Sequence, residues 1–315
     1  MLGCYSANMR ILLRPGSRYF CGHAILLGTV VCGVLFGSQS IPALAQASPS
    51  PTSSAASPDR LPLTTTSPEA AKLFEEGLRF SYDTHIDQAL DKWREASRKD
   101  PNFSRAWAYI LWLTFDPIEA KNAAENAQLA SRHVTPGEKL LVKWRISTYR
   151  GNLVDAIAAM NDLLAMYPRD PEQNFEAGLW LNLHGEYEAS AKLLKRALEV
   201  DPNFPTALNI MSYDLAAMDR YDQAIAYLKR YAEVEPNEPN PHDSLAEILQ
   251  QAGRLEESLV EYRQALKLDP TFYSSQLGVG NDYALLGKQD RAREEYAKAF
   301  PMMAHEPALD RKSVV

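Results

Sequence analysis

Three consecutive segments between residues 171 and 270 repeat one pattern at a spacing of 34 residues. Gly178, Leu181, Ser190, Leu194, Ala197 and Pro202 stand at positions 8, 11, 20, 24, 27 and 32 of the first. Ser212, Leu215, Ala224, Leu228, Tyr231 and Pro236 take those places in the second, and Ala246, Leu249, Ser258, Tyr262, Ala265 and Pro270 in the third. Self-similarity at this period marks a helical repeat array. Positions 8 and 11, and 20, 24 and 27, are three or four apart, so each set lies along one helix face. Small residues at 8 and 20 allow two helices to cross closely, with the large ones filling the space beside them.

The punctuation agrees with two helices per unit. Gly151, Gly185, Gly253 and Gly287 fall at position 15, and Asp219 stands there in the remaining full repeat. A helix closed by a left-handed residue favours glycine, with Asp or Asn as substitutes. Each second helix stops before a proline, in Asp201-Pro202, Glu235-Pro236 and Asp269-Pro270. The pattern resembles the tetratricopeptide repeat (TPR) family, whose units are pairs of antiparallel helices. The resemblance implies an all-α, right-handed α-solenoid of about seven helix-turn-helix repeats over residues 67–304. Their frames lie near 70–103, 104–136, 137–170, 171–204, 205–238, 239–272 and 273–304.

Repeats two and three are the least regular. Phe115-Asp116-Pro117 breaks the first helix of repeat two where a plain glycine turn is expected, and bulky Trp144 occupies a small-residue position in repeat three. An altered helix-to-helix distance follows there. The second helix of repeat seven, with Asp290, Arg291, Arg293, Glu294, Glu295 and Lys298, is polar enough to cap the array, and residues 305–315 read as a flexible tail.

Ahead of the repeats, Arg10, Arg14 and Arg18 precede an apolar run from Ala24 to Phe36, followed by Ala43-Leu44-Ala45. Residues 1–45 therefore read as a secretory signal peptide cleaved after Ala45, the alternative being an uncleaved membrane anchor. The expected location is exported, periplasmic or secreted. All three cysteines (Cys4, Cys21, Cys32) lie in that segment, so the processed chain has no disulfide, thiolate metal site or cysteine nucleophile. Residues 46–66, rich in Ser, Pro, Thr and Ala with no aromatic, read as a disordered linker.

The formal charge of −7 argues against a nucleic-acid partner. No His-Glu-x-x-His, Gly-x-Ser-x-Gly or phosphate-loop motif occurs. Gly278-Val279-Gly280 sits inside a predicted helix, and the histidines are scattered without ligand spacing. No catalytic residue, metal ligand or cofactor site is expected.

In the resembled family, positions 2, 5, 9, 12 and 13 of successive first helices line a concave groove that takes an extended peptide or a helix. Those positions hold Trp112, Phe115, Arg145, Tyr149, Phe175, Asn182, Asn209, Tyr213, Asn240, Asp243, Glu247, Gln250 and Asn281. The N-terminal half of this row is aromatic, as interface hot spots are. The C-terminal half is rich in amides, which both donate to and accept from a peptide backbone. One subgroup grips a C-terminal carboxylate with Lys and Asn or Arg at positions 2, 5 and 6. Here those places read Ala71, Phe74, Glu75; Arg105, Ala108, Tyr109; and Glu138, Leu141, Val142, so that clamp is missing. The expected function is a non-enzymatic scaffold binding another protein. The alternatives are a small-ligand or enzymatic site where repeats two and three join, and a self-associating homo-oligomer.

Overall fold

The computed structural model describes residues 59–82 and 85–303. The predicted signal peptide, most of the predicted linker and the predicted C-terminal tail lie outside the described residues. Fourteen α-helices and no strand are found among those described. They pair as α1 (Pro68–Tyr82) with α2 (Ile86–Lys99), α3 (Ser104–Leu113) with α4 (Pro117–Ala130), and α5 (Pro136–Tyr149) with α6 (Leu153–Met166). The series continues with α7 (Pro171–Leu183) and α8 (Tyr187–Val200), α9 (Pro205–Ala217) and α10 (Tyr221–Val234). It ends with α11 (Pro239–Gln251) and α12 (Leu255–Leu268), then α13 (Tyr273–Leu285) and α14 (Gln289–Met303). The array is an all-α solenoid of seven helix pairs.

The turns form for the backbone reason expected. Gly151, Gly185, Gly253 and Gly287 have φ between 73° and 78°, and Asp219 has φ 59°. A side chain at any of those glycines would meet open space, so conformation rather than room selects them. Each turn closes on the same hydrogen bond, from the residue after it to a carbonyl five places back. Glu186 N donates to Leu181 O at 3.0 Å, Arg220 N to Leu215 O at 2.8 Å, and Arg254 N to Leu249 O at 2.8 Å. The small residue at position 8 exists to receive position 24. A Cβ on Gly77 would stand 2.3 Å from the Trp93 indole, and one on Gly280 would stand 2.5 Å from the Tyr296 ring.

Repeats two and three depart from this plan as their sequence predicts. The first helix α3 has only 10 residues, and Thr114 leaves it in an extended conformation. Asp116 then caps α4, accepting from Ile118 N and Glu119 N, with Pro117 at the first helical position. A short 3₁₀ turn at Ser131–His133 separates α4 from α5. As a result α3 packs directly on α5, whereas later in the array each second helix packs on the next first helix. Trp144 is fully buried between Trp112 and Trp180, with ring centroids 6.4 Å from each.

The predicted linker requires a correction at its end. Residues 61–66 form an extended strap against the array, with Leu61 buried and its N–H donating to Asp170 Oδ2 at 2.6 Å. Composition suggested disorder because the segment lacks a core of its own; acidic helix-end residues far along the chain supply its partners. At the other end, α14 runs through Pro301 to Met303.

Candidate functional site

The predicted groove divides into a sealed half and an open half. In repeats two to four its positions are filled by the chain's own side chains. The buried Arg105 guanidinium pairs with Glu172 at 2.6 Å and lies 5.0 Å from the Phe74 ring centroid. The Tyr109 hydroxyl donates to Glu172 at 2.5 Å and also contacts Glu176. Arg145 pairs with Glu176 and lies 3.9 Å from the Trp112 ring centroid and 4.3 Å from that of Trp144. Burial pushes the Glu176 carboxyl up to about 7, against the pull of Arg145. The place marked by sequence as a small-ligand junction is thus occupied by two ion pairs and the rings of Phe74, Tyr109, Trp112 and Trp144.

The array also closes across this half. The Tyr82 ring at the end of α1 meets Phe175 at 5.6 Å and Phe204 at 5.1 Å, centroid to centroid. Repeat one therefore touches repeat four. Arg145 and Phe175, expected to line an open groove, are 2% and 3% exposed and face this interior. Trp112 and Phe115 are half-buried, and Tyr149 is exposed.

Farther along, much of the amide row joins one repeat to the next. Asn182 Nδ2 donates to Asp214 Oδ1 at 2.7 Å, and Gln250 Nε2 to Asp282 Oδ1 at 2.6 Å. Both rungs link residues 32 apart, position 12 of one repeat to position 10 of the next. Asp243 accepts from the Ser275 hydroxyl at 2.5 Å and the Ser274 hydroxyl at 3.1 Å. Asn182 and Asp243 are therefore buried, where exposure was expected. The Tyr213 hydroxyl donates to Glu247 at 2.9 Å, and its own pKa is driven well up by burial, with the Glu247 charge adding to the effect. Asn240 donates to the Tyr231 hydroxyl at 3.1 Å, and Asn281 accepts from Tyr296 at 2.7 Å.

Asp214 and Asp282 were missed by the sequence reading. Their signal was present: a carboxylate inside an apolar helix run, 32 residues after an amide, occurring twice. Burial pushes Asp214 up to about 7, with the hydrogen bond from Asn182 only partly opposing it. Asn209, Tyr213, Asn240, Glu247, Gln250 and Asn281 remain half-buried along α9, α11 and α13. Among them Asn209 Oδ1 is shielded from water and has no hydrogen-bond partner. No cluster of His, Cys, Asp or Glu among the described residues could hold a metal, and no described helix is long and apolar enough to cross a membrane.

Helix pairs stacked in series, with first helices sharing one face, define a helical-repeat scaffold of the kind that binds other proteins. Family models described as tetratricopeptide repeat match residues 149–208, 181–248 and 242–272. Residues 149–272 are tetratricopeptide repeats. No curated protein matches the chain significantly in sequence. Solved structures similar to it include MamA (residues 41 to the end) from Desulfovibrio magneticus RS-1, at 17% identity and TM-score 0.49 over 55% of this chain and 97% of that one. A second MamA structure matches at 19% identity and TM-score 0.47, over 55% and 96% of the two chains. The APC/C hetero-tetramer Cut9-Hcn1 matches at 16% identity and TM-score 0.48, over 68% and 42%.

Proposed function

We propose that the chain is an exported, non-enzymatic scaffold that holds a segment of another envelope or secreted protein along α9, α11 and α13. The carrying observation is the row of half-buried polar side chains, Asn209, Tyr213, Asn240, Glu247, Gln250 and Asn281, that α9, α11 and α13 leave partly open to solvent. Amide side chains such as those of Asn209, Asn240 and Asn281 both donate to and accept from an extended backbone. Export is supported by the basic, apolar and small-residue succession of residues 1–45. It is checked by N-terminal sequencing of the processed protein, which should begin at Gln46.

A photoreactive group placed at residue 213 tests partner binding in extract from the native cell envelope. Specific labelling from 213, reduced about tenfold by Asn209→Ala, is the expected result. Labelling no stronger than from exposed Glu256 on the outer face would overturn the reading.

A further inference from the structure

The strap is held as a bound peptide is held. Its Leu61 side chain is buried against Gly137 and Tyr167, where a Cβ on Gly137 would stand 2.7 Å from Leu61 Cδ1. Thr64 gives its N–H to Glu138 Oε1 at 2.8 Å and its hydroxyl to Glu138 Oε2 at 2.6 Å. The Thr65 hydroxyl and Thr66 N–H both reach Asp100 Oδ2, at 2.6 Å and 3.1 Å. Arg105 Nη1 approaches the carbonyls of Leu61 and Pro62 at 3.5 Å. Pro62 has no N–H to leave unmet and favours the extended form of its neighbour.

The receiving carboxylates serve two masters at once. Asp170 Oδ1 accepts from Gln173 N at the start of α7, while Oδ2 takes Leu61. Glu138 forms a capping box with Thr135 on α5 and also chelates Thr64. Asp100 Oδ1 accepts from Asn102 N while Oδ2 holds the strap. Each carboxylate is thus oriented by a local hydrogen bond of its own as well as by the strap.

We infer that this seat is a second peptide-recognition site, specific for an extended Leu-Pro-x-Thr-Thr segment of another protein and filled in cis by residues 61–65. It stands apart from the partner face along α9 to α13. A segment tethered next to its site acts at an effective concentration of about a millimolar. An equal segment arriving in trans therefore competes only near that concentration, and a physiological partner must bind more tightly than the strap does.

The test uses a fluorescent peptide of the sequence from Arg60 to Ser67 and the full chain. The parent chain should saturate only near millimolar peptide. The variant Leu61→Ala/Thr64→Ala, whose own strap is weakened, should bind at least tenfold more tightly. Adding Asp170→Asn, which keeps the α7 cap but replaces the strap's acceptor oxygen by an amide, should abolish that gain. A weakened-strap variant that retains the parent's helicity yet binds the peptide no better would overturn the inference. If that variant fails to fold, amide exchange in the parent decides. Leu61 and Thr64 amides should exchange at least tenfold faster than those within α5, and exchange only together with α5 would overturn it.

Discussion

The Thr206 hydroxyl donates to the Tyr82 carbonyl at 3.0 Å, joining the first repeat to the fifth across 124 residues. A solenoid in which each unit touches only its neighbours would place these residues apart. The contact is possible because α3 is short and α5 packs on it directly, bending repeats one to five around a core of paired charges. Closure seals the N-terminal half of the shared face and leaves the half from α9 onward open.

Tyr82→Ala removes the ring that meets Phe175 and Phe204. For this half-buried aromatic the loss should be about 2 kcal/mol. Opening of the array should raise the radius of gyration in small-angle scattering. Tyr82→Phe keeps the ring and the backbone carbonyl and should leave both unchanged.

Asp214 gives a pH dependence with a definite sign. Its folded-state carboxyl titrates at about 7, against about 4 in an unfolded chain. Between those values the folded chain binds a proton that the unfolded chain does not, so stability falls as pH rises through the window and levels off above it. Glu176, also pushed to about 7, adds to the same slope. Asp214→Asn keeps an acceptor for Asn182 and should lower the slope by about one proton in urea titrations taken across this range. A slope unchanged by the substitution would contradict the burial argument.

Gly278 lies against Tyr262, and a Cβ there would stand 2.3 Å from the ring. Gly278→Ala should cost about 1–3 kcal/mol through overpacking. At Gly178 the nearest atom is a Leu194 side-chain carbon at 3.0 Å, which yields more easily. There the helix propensity gained by alanine, about 1 kcal/mol, offsets the crowding and the melting temperature should hardly move.

Asp219 has the only positive φ among the described non-glycine residues. Asp219→Gly should stabilise the chain by about 0.5 kcal/mol, since glycine enters this region without steric cost. The matching Gly253→Ala should destabilise by about 1 kcal/mol, because its φ of 75° strains any side chain. Denaturant midpoints separate the two directions.

The 34-residue period alone determined the helix pairs, their left-handed turns and the pairing of position 8 with position 24, because each depends on contacts within one unit. Phe115-Asp116-Pro117 likewise announced the broken α3, since proline and a capping carboxylate act locally. What only the tertiary structure decided is which concave positions stay open. Arg145 and Asn209 occupy equivalent faces of their helices, yet one is sealed by Trp112, Trp144 and Glu176 while the other is left partly open to solvent. The strap and the Tyr82 closure belong to the same class. They depend on small angles between successive repeats that add up along the chain, and residues 124 apart carry no mark of that sum in their own neighbourhoods.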